Sequence, residues 1–165
     1  MITKHQRFAM FGEKPVAYAR MKGNKSHPNI TGRLYLFPAQ GGSLVWVEVQ
    51  EVTDKDQKPS QGFHGFHIHE GSDCTGIETD PFANAGTHYS PTNQEHPSHA
   101  GDLPPLLLSN GYGWMQFYTG RFRPEDVIGH TVVIHDMADD FHSQPAGDSG
   151  TKIACGEITA LPAGM

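Results

Sequence analysis

Three observations predict an all-β fold. Glycine and proline are frequent, 19 and 12 in 165 residues, so turns interrupt the chain at short intervals. Apolar residues rarely recur at the 3.6-residue spacing of an amphipathic helix. Short β-branched and aromatic runs stand out instead, at residues 34–37, 44–49 and 132–134. Together they suit a sandwich or barrel, and the length suits one domain over residues 1–165 with no internal repeat and no linker.

The first two runs, around Leu34 and Val45, read as core strands. Next comes Gly65-Phe66-His67-Ile68-His69. In a strand, residues two apart share a face, so His67 and His69 point together while Phe66 and Ile68 point into a core. Residues 88–105 differ: His88, His96, His99 and Asp102 are interspersed with Pro91, Pro97, Gly101, Pro104 and Pro105. Neither helix nor ladder suits that stretch, which reads as a loop organised by its ligands. Thr131-Val132-Val133-Ile134-His135 then returns to strand, with a histidine at its end.

Six histidines and one aspartate in three segments make a metal-binding pattern. The loop set of three histidines and a carboxylate meets the four-coordinate demand of a closed zinc site. The strand histidines, all nitrogen donors, suit tetragonal copper. Seven donors are one short of two sets of four, so one histidine must serve both ions, and His88 is the natural candidate.

These segments resemble the Cu/Zn superoxide dismutase family. The resemblance is carried by Gly65-Phe66-His67-Ile68-His69-Glu70, Ala85-Gly86-Thr87-His88, His99-Ala100-Gly101-Asp102 and Gly150-Thr151-Lys152-Ile153-Ala154-Cys155-Gly156, and it spans roughly residues 15–160. It implies a Greek-key β-sandwich or barrel, immunoglobulin-like, with long metal-binding and electrostatic loops. It implies copper on His67, His69, His88 and His135, and zinc on His88, His96, His99 and Asp102. Asp139 would tie a copper histidine to a zinc histidine, fixing ring orientation and tautomer. Cys74 and Cys155, the two cysteines of the chain, would form a disulfide clipping the loop after the copper strand to the last strand. Closing such a loop stabilises by about 3 to 5 kcal/mol on the chain-entropy model. The implied reaction converts superoxide to dioxygen and hydrogen peroxide, with His88 and Lys152 catalytic and Thr151 narrowing the substrate channel. The alternative is a non-catalytic copper carrier or buffer of the same fold, although carriers usually lose a copper ligand and this chain retains all four.

The chain departs from the family in several places. Lys152 stands where most members place an arginine, which keeps the charge and loses the planar fork. Loop 136–151 holds Asp136, Asp139, Asp140 and Asp148 with no lysine or arginine, so electrostatic guidance is expected to be weak. The stretch between Cys74 and His88 is longer than in eukaryotic members, through Ile77, Glu78, Asp80, Pro81 and Phe82, a bacterial trait. A monomer or homodimer is therefore expected, and the eukaryotic dimer contact is not assumed.

The net charge of −6 argues against nucleic-acid or acidic-membrane partners, which need basic patches. It does not exclude a small anion, because a cleft focuses the local field. No apolar run is long enough to span a membrane, and residues 1–11 carry no secretory signature, so a cytoplasmic protein is expected, or an extracytoplasmic one if the chain is a mature form. His5, His27, His64, His130 and His142 are expected to be ordinary surface or satisfied residues, with His64 on the strand face opposite His67. Trp46, Trp114 and the phenylalanines are expected to pack in the core or on strand faces.

Overall fold

The computed structural model describes residues 14–53, 58 and 60–162; His5 lies outside them. Ten strands are described: β1 (Ala17–Gly23), β2 (Ile30–Ala39), β3 (Gly42–Glu51), β4 (Gly62–His64), β5 (Phe66–His69), β6 (Leu106–Leu108), β7 (Tyr112–Thr119), β8 (Thr131–His135), β9 (Lys152–Glu157) and β10 (Thr159–Ala160). Single 3₁₀ turns at Ala83–Ala85 and Pro124–Val127 are the helical segments among the described residues.

An antiparallel sheet runs β5-β8-β9-β1-β2-β3-β7, with β10 beside β1, and β4 and β6 form a separate pair. The long sheet curls into a half-barrel. The apolar runs at residues 34–37 and 44–49 lie inside β2 and β3, where Leu34 faces Val47 and Leu36 faces Val45 across the pair. These four side chains are fully buried, while Thr31 and Arg33 of β2 are exposed. That alternation directs one face of the hairpin into a core shared with Phe66, Ile68, Val132, Ile134 and Ile153.

Turn chemistry sets the register of two hairpins. Gln40 and Gly41 both have positive φ, as do Asn110 and Gly111. Two consecutive left-handed residues match the twist of the flanking strands, and Asn-Gly is the pair that adopts them most readily. Trp46 is buried, whereas Trp114, Tyr112 and Tyr118 lie half-exposed on the outer face of β7.

The strands nearest the site carry both kinds of surface. Phe66 and Ile68 of β5 face the core, and His67 and His69 face the other way, yet all four residues are buried. β8 pairs β5 with His67 opposite Val133. Between β8 and β9 the register slips, so that Ile134 faces Ala154 but His135 faces Lys152. A slip of this kind bends a strand and re-aims the residue beyond it. It brings His135 and Lys152 to one end of the sheet.

Candidate metal centre

Two clusters of metal-capable side chains converge there. His67, His69, His88 and His135 offer ligand atoms within 4.8 Å of one another, and so do His88, His96, His99 and Asp102. His88 belongs to both. Its ring lies 3.9 Å from that of His67 and 4.9 Å from that of His69, and 5.6 and 5.4 Å from those of His96 and His99.

The tautomers follow from the groups behind each ring. His69 Nδ1 donates to Gly86 O at 2.9 Å and His135 Nδ1 donates to Gly150 O at 3.2 Å. Both Nε2 atoms therefore present lone pairs, and these lie 3.2 Å apart. Facing lone pairs need a cation or a shared proton between them. Burial pushes His135 down to about 3, with His67 adding to the shift, and it pushes His69 well below the usual histidine range, with His135 adding to it. The proton is thereby disfavoured and a metal cation fits.

Within the two donor sets, three further ring nitrogens are buried without a hydrogen-bond partner, His67 Nδ1, His88 Nε2 and His96 Nδ1; outside them His64 Nε2 is buried without one as well. Such orphans are costly in a finished interior. His96 Nδ1 lies 3.2 Å from Asp102 Oδ2, close but without hydrogen-bond geometry, as expected of two groups that share an ion. His99 Nδ1 lies 3.1 Å from the same oxygen, and His88 Nδ1 lies 2.8 Å from Asp102 Oδ1. Burial would raise the Asp102 carboxyl, but the His88 contact and the neighbouring imidazoles hold it well below the usual carboxylate range. His88 itself is lowered by burial, which outweighs the opposing pull of Asp102. One group is thus four nitrogens suited to copper, and the other is three nitrogens with an ionised carboxylate suited to zinc.

Asp139 joins the groups from behind. It accepts from His67 Nε2 at 2.7 Å and from His96 Nε2 at 2.9 Å, one histidine of each set. Gly147 is pressed against this junction: with φ at +66°, a Cβ there would lie 2.1 Å from Asp139 Oδ1 and 2.7 Å from His96 Nε2. The requirement for glycine is doubled, by conformation and by space.

The Cys74–Cys155 disulfide is formed. Cys155 and Val133 pack with Phe82 and Ala85, so the bridge anchors the loop between β5 and His88 against β8 and β9. Thr151 lies exposed at the mouth, its backbone N–H held by Asp136 Oδ1 at 2.7 Å. A cavity of about 520 Å³ opens there, lined by His69, His88, His135, Thr151 and Lys152 together with Glu78 and Asp80.

Several supporting residues escaped the sequence reading. His64 lies in β4, and its Nδ1 donates to His135 O at 2.9 Å. It is buried behind the copper set and is no ligand. The chain breaks between β4 and β5 at Gly65, whose N–H and C=O pair with Met137 and His135. Arg121 spans the backbone of the zinc loop, with Nη1 donating to Pro97 O and His99 O at 3.0 Å and to Asp102 O at 3.2 Å. Gln144 takes both backbone groups of His96 with its side-chain amide, at 3.1 and 2.6 Å. No local pattern marks either residue, because each acts on a segment distant in sequence. His27, His130 and His142 lie outside both donor sets.

Comparison with known proteins agrees with this geometry. The family model described as copper/zinc superoxide dismutase matches residues 30–158. A Cu-Zn superoxide dismutase of Deinococcus radiodurans is 35% identical over 150 residues, covering 80% of this chain and 79% of that protein. One from Actinobacillus pleuropneumoniae is 31% identical over 180 residues, covering 92% and 95%. Among solved structures, the Cu/Zn superoxide dismutase from Brucella abortus superposes with a TM-score of 0.72 at 26% identity, over 86% of this chain and 98% of that one.

Proposed function

The chain belongs to the copper/zinc superoxide dismutase family, and from that premise we propose how its own residues carry out the family's reaction. It is an oxidoreductase that uses copper and zinc, and its substrate is superoxide. His67, His69, His88 and His135 hold copper; His88, His96, His99 and Asp102 hold zinc. The observation that carries the reading is His88, a single imidazole with one nitrogen toward each donor set.

Copper held on its four histidines would supply a one-electron redox couple, and zinc held on its set would supply fixed positive charge. The rest is the work of side chains. Two superoxide anions and two protons become one dioxygen and one hydrogen peroxide, so the site must deliver protons as well as hold an anion. His88 Nε2 is the group placed to carry a proton, because it faces the cavity residues His69 and His135 and has no partner in the protein. The second proton comes from water at the mouth. His69 and His135, held neutral by burial and oriented by carbonyls, keep their lone pairs for the metal. Asp139 locks His67 and His96 in the tautomers that free their Nδ1 atoms. Lys152 draws the anion into the cavity and Thr151 narrows the way in.

A copper carrier of the same fold is not favoured, since all four copper donors converge. The deciding experiment is superoxide dismutation by the copper- and zinc-reconstituted protein, with metal content measured, beside His135→Ala. Fast copper-dependent turnover lost in the variant is the expected result; retained copper without turnover overturns the reading. We propose an oxidising compartment as the working location, supported by the formed disulfide, and a monomer or homodimer as the assembly. Cell fractionation and light scattering test these two.

A further inference from the structure

Two departures noted in the sequence meet in space. Lys152 Nζ donates to Asp80 Oδ2 at 2.6 Å, and Asp80 sits in the lengthened segment between Cys74 and His88. We propose that Asp80 is a positioning residue for the substrate anion: it holds the Lys152 ammonium over the copper-site cavity and cancels most of its charge, so that electrostatic guidance is set by the pair.

The carboxylate is preorganised for this task. Its Oδ1 accepts from Phe82 N at 3.2 Å, and its backbone carbonyl accepts from Ile77 N at 2.9 Å and Ala83 N at 3.1 Å. Phe82 is buried against Cys155, and the disulfide fixes the start of the same loop. Lys152 is pinned from its own side: Asn24 Nδ2 donates to its carbonyl at 3.1 Å, and the register slip sets it opposite His135. Its side chain is 16% exposed against 41% for Asp80, and among the described residues its ion-pair partner is the aspartate. The charged groups lining the cavity are Glu78, Asp80 and Lys152, two carboxylates against one ammonium, in a chain of net charge −6. Apart from the charge of the bound metals, the side chains at this mouth offer approaching superoxide no surplus of positive charge. An arginine at residue 152 would carry a planar fork able to engage a carboxylate and an anion together; a lysine offers one point charge, and Asp80 takes it.

The inference rests on the reading of Lys152 as the anion-guiding residue, and the experiment separates the two. kcat/KM for superoxide is measured from about 0.01 M to about 0.15 M salt, over which the Debye length falls from about 30 to about 8 Å. The set comprises the metal-loaded wild type, Asp80→Asn, Glu78→Gln, Lys152→Gln and the Asp80→Asn/Lys152→Gln double variant. Azide affinity is read in parallel by optical titration, a measure independent of turnover. The wild-type rate is expected not to fall with salt. Asp80→Asn, whose amide oxygen still accepts from Phe82 N, is expected to raise kcat/KM about threefold or more at low salt, to tighten azide by a similar factor, and to make the rate fall with salt. Glu78→Gln gives a smaller gain, and the Asp80→Asn gain disappears in the Lys152→Gln background. Equal gains from Asp80→Asn and Glu78→Gln, or a gain that persists without Lys152, overturn the proposal. Should Asp80→Asn fail to fold, a wild-type rate that drops steeply with salt overturns it instead. If Lys152→Gln leaves the rate unchanged, the guiding role falls and the inference with it; if Lys152→Gln slows the enzyme while Asp80→Asn changes nothing, the inference alone fails.

Discussion

Replacing Asp139 with asparagine isolates the link between the two donor sets. The carboxylate accepts from His67 Nε2 at 2.7 Å on one oxygen, and from His96 Nε2 and Phe141 N at 2.9 and 2.7 Å on the other. An asparagine of the same shape has one accepting oxygen and one donating nitrogen. Whichever way the amide turns, one imidazole N–H faces another N–H. The lost contact is a hydrogen bond to a charged group, about 1.5 to 3 kcal/mol, and it falls on the nitrogen that keeps the ligand atom in its tautomer. Metal affinity in one set should weaken by about 10- to 100-fold, the range seen when a ligand's hydrogen-bond partner is removed. Retention of Phe141 N on the oxygen would leave His96 satisfied and shift the loss to His67 and copper; the reverse turn would cost zinc. Competition with chromogenic chelators, run separately for copper and zinc, measures both. The reasoning fails if both affinities stay within about twofold of wild type, or if both fall together only as much as the metal-free protein is destabilised.

Gly147→Ala should injure the same junction by sterics, since its Cβ meets Asp139 Oδ1 at 2.1 Å and φ is +66°; zinc is expected to leave at lower chelator concentration, and a crystal structure of the variant should show His96 displaced. Reducing the Cys74–Cys155 bridge, which spans 81 residues, should lower stability by about 4 to 5 kcal/mol on the chain-entropy model, read as a shifted urea midpoint. Acid should destabilise the metal-free protein through its buried neutral histidines. His135 titrates near 6.5 unfolded and at about 3 folded, so its contribution is whole above pH 6.5 and is lost as pH falls below it. By pH 5 the loss from this residue is about 2 kcal/mol, and His69 acts in the same direction. Metal-free stability that stays flat between pH 7 and 5 would contradict this.

Local pattern made much of the molecule legible. In run 44–49 Val45, Val47 and Val49 recur at every second residue because they share the fully buried face of β3, and that recurrence is written in the order of residues. The parity of His67 and His69 is likewise local, as is the Asn110-Gly111 turn. Residues that work at a distance left weaker traces. The reading of His64 as no ligand agrees with the donor sets, but its partner, the His135 carbonyl, lies 71 residues away and was not legible. Arg121 and Gln144 bind backbone atoms, and any backbone accepts such bonds, so nothing in their targets' sequence announces them.

By itself, then, the sequence determined the β class, the seven metal-capable side chains and the need for one histidine to serve twice, because strand parity and donor chemistry are properties of short segments. Tertiary structure alone decided which nitrogen of each ring is free, since that depends on the carbonyl or carboxylate behind it. It also decided that Lys152, 72 residues from Asp80, spends its charge on that carboxylate. The reason is physical: an ion pair or a tautomer is set by whichever group the fold brings within about 3 Å, and chain order does not fix that group.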